Sequence, residues 1–180
     1  MSARVVAVHR SSEHAFSKNP HSEIQLLAGL GVADDAHRGV TVQHRSRLQQ
    51  HPSQKNLRQV HLIHSELFAE LRQKGFNVNA GQLGENITTR NIDLLLLPTN
   101  ALLHIGVTAV IQITGLRNPC LQIHNFQRGL LAAVLTRDHK GKIIRKAGVM
   151  AVVIASGAVK PNDAIDVENP PRPHQALVRV

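Results

Sequence analysis

A mainly β domain with peripheral helices, α+β in class, is what this sequence predicts, and three observations predict it. The second half breaks into short apolar runs of strand length, at 92–97, 101–105, 109–114, 149–154 and 164–167. Turn formers stand between those runs: Pro98-Thr99-Asn100, Gly106, a Gly- and Pro-containing segment at 114–120, and residues 157–162. Strands that short, separated by such signals, suit a mostly antiparallel barrel or sandwich. Helical periodicity is confined to two short stretches. With 180 residues the chain is of single-domain length and buries roughly two-thirds of its unfolded surface.

Residues 5–8, Val-Val-Ala-Val, form a β-branched run and a first strand. Residues 11–20 are polar, and Asn19-Pro20 signals a turn. Residues 24–27 lead into Gly29-Leu30-Gly31-Val32. That piece superficially matches a dinucleotide-binding turn, but Asp34 stands where the third glycine belongs and no amphipathic helix follows. Residues 34–56 are polar without a period, a long irregular segment of the kind that is functional or mobile. His37, His44 and His51 recur every seven residues there, yet Pro52 and the missing apolar face speak against a metal-binding helix.

Residues 56–63 alternate as a strand, with Val60 and Leu62 on one side. Ser65 then supplies a helix N-cap, Leu67, Phe68 and Leu71 an apolar face, and Gly75 a stop. His61 and His64 straddle that junction, more simply as strand-end histidines than as a ligand pair. The other helix is predicted over 126–135 despite Gly129. The tail Asn169-Pro170-Pro171-Arg172-Pro173 cannot continue a sheet and is expected on the surface. No repeat or linker divides the chain, so the expectation is one domain over 1–180, with a core at about 29–168 and a tail at 169–180.

The net charge of +9, from 21 Lys and Arg against 12 Asp and Glu, suits an anionic partner. Nucleic acid is disfavoured, because there is no Tyr, no Trp and only four Phe to stack on bases. A basic pocket for a small phosphorylated ligand fits at least as well, and solubility alone also accounts for much of the charge. The apolar start is too short for a signal peptide, and no apolar run approaches the ~20 residues that span a bilayer. With a single cysteine as well, the expectation is a cytoplasmic protein without membrane association.

That cysteine, Cys120, sits in Thr114-Gly115-Leu116-Arg117-Asn118-Pro119-Cys120. A lone cysteine is ordinarily a small buried hydrophobe. Here Arg117 is close enough in sequence to pair with a thiolate, and Pro119 fixes the backbone ahead of the side chain. Two further segments mix glycine with phosphate- or amide-binding side chains: Asp34-Asp35-Ala36-His37-Arg38-Gly39 and Gly81-Gln82-Leu83-Gly84-Glu85-Asn86-Ile87-Thr88-Thr89. Each alone is an ordinary turn.

Together with Ile92-Asp93-Leu94 and Lys146-Ala147-Gly148-Val149-Met150, these segments resemble a MOSC domain of the stand-alone bacterial type. This is the domain also found at the C-terminus of molybdenum-cofactor sulfurases. The resemblance runs from about Gly29 to Glu168. It departs at Arg38, where a small residue is common, at Ala80, where a proline is usual, and at Asn100, where a glycine is typical. It implies a barrel-like fold and a pocket for the molybdenum cofactor, a pterin dithiolene bearing a phosphate.

The resemblance makes Cys120 the reactive residue, either as the molybdenum ligand or as carrier of a persulfide. Soft thiolate suits that metal class. Arg117, Asn86, Thr88, Arg38 and Gly39 would bind the cofactor, and His37 or Glu85 would move protons. The implied activity is reduction of N-hydroxylated or N-oxygenated compounds, such as modified bases, with electrons from a redox protein. A non-catalytic carrier of cofactor or sulfur, and a basic nucleic-acid-binding module, are the alternatives. Oligomeric state is left open, a homodimer included.

Overall fold

The computed structural model describes residues 2–43 and 53–180. In chain order the elements are β1 (Arg4–Arg10), β2 (Asn19–His21), β3 (Ile24–Leu27), β4 (Gly31–Val32), β5 (Val60–His64) and helix α1 (Glu66–Gln73). There follow β6 (Ile87–Arg90), a 3-10 turn at Leu94–Leu96, β7 (Leu102–Ile105) and β8 (Ala109–Leu116). The remainder comprises α2 (Leu121–Phe126), α3 (Leu130–Val134), β9 (Leu135–Arg137), β10 (Ile143–Arg145), β11 (Val149–Ala155), β12 (Gly157–Val159) and β13 (Ile165–Glu168).

An eight-stranded sheet runs in the order β13-β7-β8-β11-β5-β6-β1-β2. Its neighbours are antiparallel except β5 and β6, which are parallel. β12, β3 and β4 make a smaller sheet, and β9 and β10 a separate hairpin. The mixed sheet and three short helices are α+β, but the barrel is not found: no sheet closes among the described residues. The ends of the large sheet approach at one isolated bridge, Arg4 to Ala164. Closure needs a continuous ladder across the seam. From Val8 to Arg10 the outer edge of β1 is already taken by β2, so only the first residues of β1 are left to meet residues 163–165.

β8 alternates buried and half-buried along its whole length, as a strand with one core face should. β5 does not alternate, because both its faces are covered. Leu62 enters a cluster with Val8, Leu26, Ile111 and Val149, while Ile63 packs with Leu67, Leu71, Ile123 and Leu130 under the helices.

Several local expectations change. Asn19-Pro20, expected as a turn, belongs to β2 and pairs with β1, and 157–159, expected between strands, is β12 paired with β3. Residues 92–97 turn instead of extending, because Asp93 Oδ1 accepts a hydrogen bond from Leu95 N at 3.1 Å and starts the 3-10 turn. The helix expected over 126–135 is two short helices broken at Gly129, whose φ is +88°. Ser65 precedes α1, but its hydroxyl makes no capping bond. The tail crosses the surface and is pinned by bridges from Ala176 to Pro98 and from Arg179 to Leu116.

Candidate functional site

A cavity of about 220 Å³ opens where the loops after β4, before β6 and after β8 converge with residues 15–18. Lys18, His37, Arg58, His61, Arg117 and Cys120 line it, with Phe16, Asn86 and Met150 in its walls. Two chain segments fit together here only because one residue has no side chain. A Cβ on Gly84, at φ +84°, would lie 2.6 Å from Phe16 O. That close approach seats Phe16 and Lys18 in the cavity wall.

Asp35 is the organising group. Its Oδ2 accepts from Lys18 Nζ at 2.5 Å, Asn86 Nδ2 at 3.0 Å and Ser11 N at 3.3 Å. Its Oδ1 accepts from His37 N at 3.0 Å and lies 3.3 Å from His37 Nδ1. The side chains of Lys18 and Asp35 are only 4% and 1% exposed. Burial alone would raise the Asp35 carboxyl; the hydrogen bonds from His37 and the Lys18 ammonium overcome it and hold the group well below the usual carboxylate range. Burial pulls the Lys18 ammonium down, and Asp35 pulls it back up.

Asn86 ties this centre to the sheet. Its Oδ1 accepts from His61 N at 3.1 Å, and its Nδ2 also donates to His9 O at 3.2 Å. The side chain is thereby spent on shaping the wall. Glu85 is fully buried behind it, Oε1 accepting from Gly81 N at 2.6 Å and Thr88 Oγ1 at 3.1 Å. Glu85 Oε2 has no hydrogen-bond partner among the described residues, and burial raises its carboxyl above the ordinary value.

Arg117 leaves the end of β8 with its N donating to Gly148 O at 3.0 Å and its guanidinium 6.0 Å over the Phe16 ring. Its Nη1 is sealed from solvent and has no hydrogen-bond partner among the described residues. Burial lowers the guanidinium, with Cys120 and Glu85 opposing; an arginine remains charged regardless. A buried guanidinium and a half-buried thiol in one lining are compatible with an anionic, metal-bearing group. His61 is buried, with Nε2 2.8 Å from Ala147 O, and burial holds it well below its ordinary value and so neutral.

Four of the residues expected from sequence therefore meet at the cavity: Cys120, His37, Arg117 and Asn86. Glu85 and Thr88 lie behind the wall as a bonded pair. Arg38 and Gly39 are outside the lining and form the turn that presents His37, Arg38 N donating to Asp35 O and Gly39 O accepting from Asn56 Nδ2. Of the seven-spaced histidines, His44 and His51 lie outside the described residues. Of the strand-end pair, His61 reaches the cavity and His64 is not in its lining. No group of three or more His, Cys, Asp or Glu is arranged to hold a metal among the described residues. Sequence reasoning missed Lys18, Arg58, Phe16 and Met150. Lys18 had one faint signal, an isolated base directly before the Asn19-Pro20 pair.

Three solved structures share the fold. YuaD from Bacillus subtilis is 23% identical at TM-score 0.76, covering 95% of this chain and 98% of that one. YiiM from Geobacillus stearothermophilus is 15% identical at TM-score 0.69, covering 97% and 79%. YiiM from Escherichia coli is 18% identical at TM-score 0.62, covering 96% and 73%. No curated protein sequence matches significantly. The MOSC domain model matches residues 49–166, a span holding Arg58, His61, Asn86, Arg117, Cys120 and Met150 of the cavity. With nearly two-thirds of the sequence matched and the same fold in those structures, the chain belongs to the MOSC domain family.

Proposed function

We propose that this protein binds a molybdenum cofactor in the cavity and reduces N-oxygenated compounds with electrons from a separate donor protein in the cytoplasm. The observation supporting this best is that the Cys120 thiol and the buried Arg117 guanidinium share the lining of one cavity. A thiolate is a suitable soft ligand for the metal, and a buried guanidinium suits an anionic acceptor.

In this reading Cys120 holds the metal by sulfur, while Arg117, with Lys18 and Arg58 nearby, offsets the cofactor's negative charge. Asn86 builds the wall. Thr88 acts at one remove, through Glu85, and Arg38 and Gly39 act through the turn that carries His37. Bound molybdenum would supply two-electron chemistry to an oxygenated nitrogen. For a hydroxylamine the N–O bond breaks, two electrons and two protons are consumed, and an amine and water leave. In this reading His37 passes protons: Asp35 accepts from its backbone N–H and lies 3.3 Å from its Nδ1, and the ring borders the cavity. The neutral, buried His61 is bound to Ala147 O and serves the wall.

The test is turnover of an N-hydroxylated base by cofactor-loaded protein with a reduced viologen as donor. Amine formation is expected from wild type, and a loss of at least about a hundredfold from His37→Ala, in line with removal of a general acid. Loaded protein that binds molybdenum but reduces no N–O substrate would instead favour a cofactor carrier.

A further inference from the structure

We propose that the β9–β10 hairpin is the docking surface for an acidic electron-donor protein, which passes its electrons to the adjacent cavity; this rests on the reductase reading above. The charge of the chain is unevenly spread. Residues 94–162 hold eight Lys and Arg against one acid, Asp138, whereas the remainder holds thirteen against eleven. Most of the excess therefore falls on the part of the chain that contains the cysteine loop, the two short helices and the hairpin, with Lys146 offset by Glu70 of α1 at 2.7 Å.

Within that part the hairpin concentrates Arg137, Lys140, Lys142 and Arg145. Arg137, Lys140 and Lys142 are exposed. The single acid is folded into the turn, since Asp138 Oδ1 accepts from Lys140 N and Lys142 N, both at 2.9 Å. Arg137 Nη1 donates to Gly141 O at 2.7 Å, which keeps its charge. Neither strand pairs with a third among the described residues, so the cationic ribbon stands apart from the main sheet.

Its base is joined to the cavity wall. Lys146 N donates to Val134 O at 2.8 Å, and Ala147 is buried with Ile123 and Leu130 of the helices that follow Cys120. The next carbonyls hold the site itself: Ala147 O faces His61 Nε2, and Gly148 O accepts from Arg117 N. Leu121, directly after Cys120, is 65% exposed, Phe126 37% and Ile143 38%. Ile143 is therefore an exposed apolar side chain within the cationic hairpin, and Leu121 and Phe126 are exposed on the helix that follows Cys120. Nucleic acid fits less well, because residues 137–146 contain no Phe, Tyr or Trp on which a base would stack. A like-signed patch of this kind steers an oppositely charged partner and raises its on-rate.

The test uses the full chain and an acidic plant-type [2Fe–2S] ferredoxin as the probe. Binding of oxidised ferredoxin is titrated at low and high salt, for wild type and for the Lys140→Glu/Lys142→Glu variant. Wild type should bind at low salt, lose affinity as salt screens the charges, and bind at least about tenfold more tightly than the variant. In loaded protein, ferredoxin-driven kcat/KM should fall by a similar factor in the variant while viologen-driven turnover is unchanged. Equal ferredoxin binding by both proteins, or equal loss with both donors, would overturn the proposal. So would duplex DNA that binds the hairpin more tightly than ferredoxin does. If viologen drives no turnover in wild type, the reductase reading fails, and the salt-dependent titration still decides the docking surface.

Discussion

Replacing Asp35 by Asn keeps the shape of the side chain and removes its charge, which isolates what that charge does. In the folded protein it faces the Lys18 ammonium at 2.5 Å with both side chains almost fully enclosed. Removing one partner of a buried pair strands the other, at a cost of about 3–5 kcal/mol. Domain stabilities are about 5–15 kcal/mol, so Asp35→Asn should remove a large part of the total. Lys18→Met should cost less, because the carboxylate keeps its bonds from Ser11, His37 and Asn86. The double variant no longer buries an unmatched charge, and the two effects should fall short of additivity by about 1–3 kcal/mol. Urea unfolding of the four proteins at pH 7 measures this. The carboxyl is held below its ordinary value, so its stabilisation is complete above the unfolded pKa of about 4 and is lost as pH falls further. An Asp35→Asn variant within about 0.5 kcal/mol of wild type, or a strictly additive double variant, would refute the reasoning.

Burial, with the charges of His21 and Lys18, lowers His9 to about 4. The unfolded chain therefore takes up this proton first, and stability should fall as pH drops from about 6.5 towards 4. The urea midpoint measured against pH should show that slope in wild type and less of it in His9→Gln, with His61 and His64, both lowered by burial, contributing to the remainder. Gly148→Ala places a Cβ 2.1 Å from Leu62 O at φ +92°, where no small adjustment suffices. It should cost about 3 kcal/mol or more and release the Arg117 amide, seen as a lowered Tm and faster hydrogen exchange at that N–H. An unchanged Tm would show that β5 and β11 tolerate a side chain there.

β8, which leads into the cysteine run, was legible because it has one core face: Gln112 and Thr114 alternate with Ile111 and Ile113, and burial follows the same period. The short strands after the cysteine, β9 and β10, were not legible. Where an apolar run carried no period the sequence was ambiguous. Residues 94–97 are all leucine, and only the Asp93 side chain decides that they turn. The sheet's failure to close depends on which strand takes the edge of β1, a pairing between segments that no local pattern records. The site divides along similar lines. Motif residues Cys120, Arg117, His37 and Asn86 stand out by spacing and company, and they meet at one cavity. Lys18 and Arg58 arrive from stretches with ordinary polar composition. An exposed lysine and a buried one paired with Asp35 are written identically in sequence; the distinction is made only when Phe16 packs across Gly84.

Molybdenum and pterin content, measured on protein purified from a host that makes the cofactor, tests the central claim most directly. Wild type should contain both in near-equal amounts to protein, and Cys120→Ser should lose the metal while keeping the wild-type Tm. Arg117→Met should weaken retention of the pterin. Wild-type protein free of both molybdenum and pterin, or a Cys120→Ser variant that retains the metal in full, would contradict it.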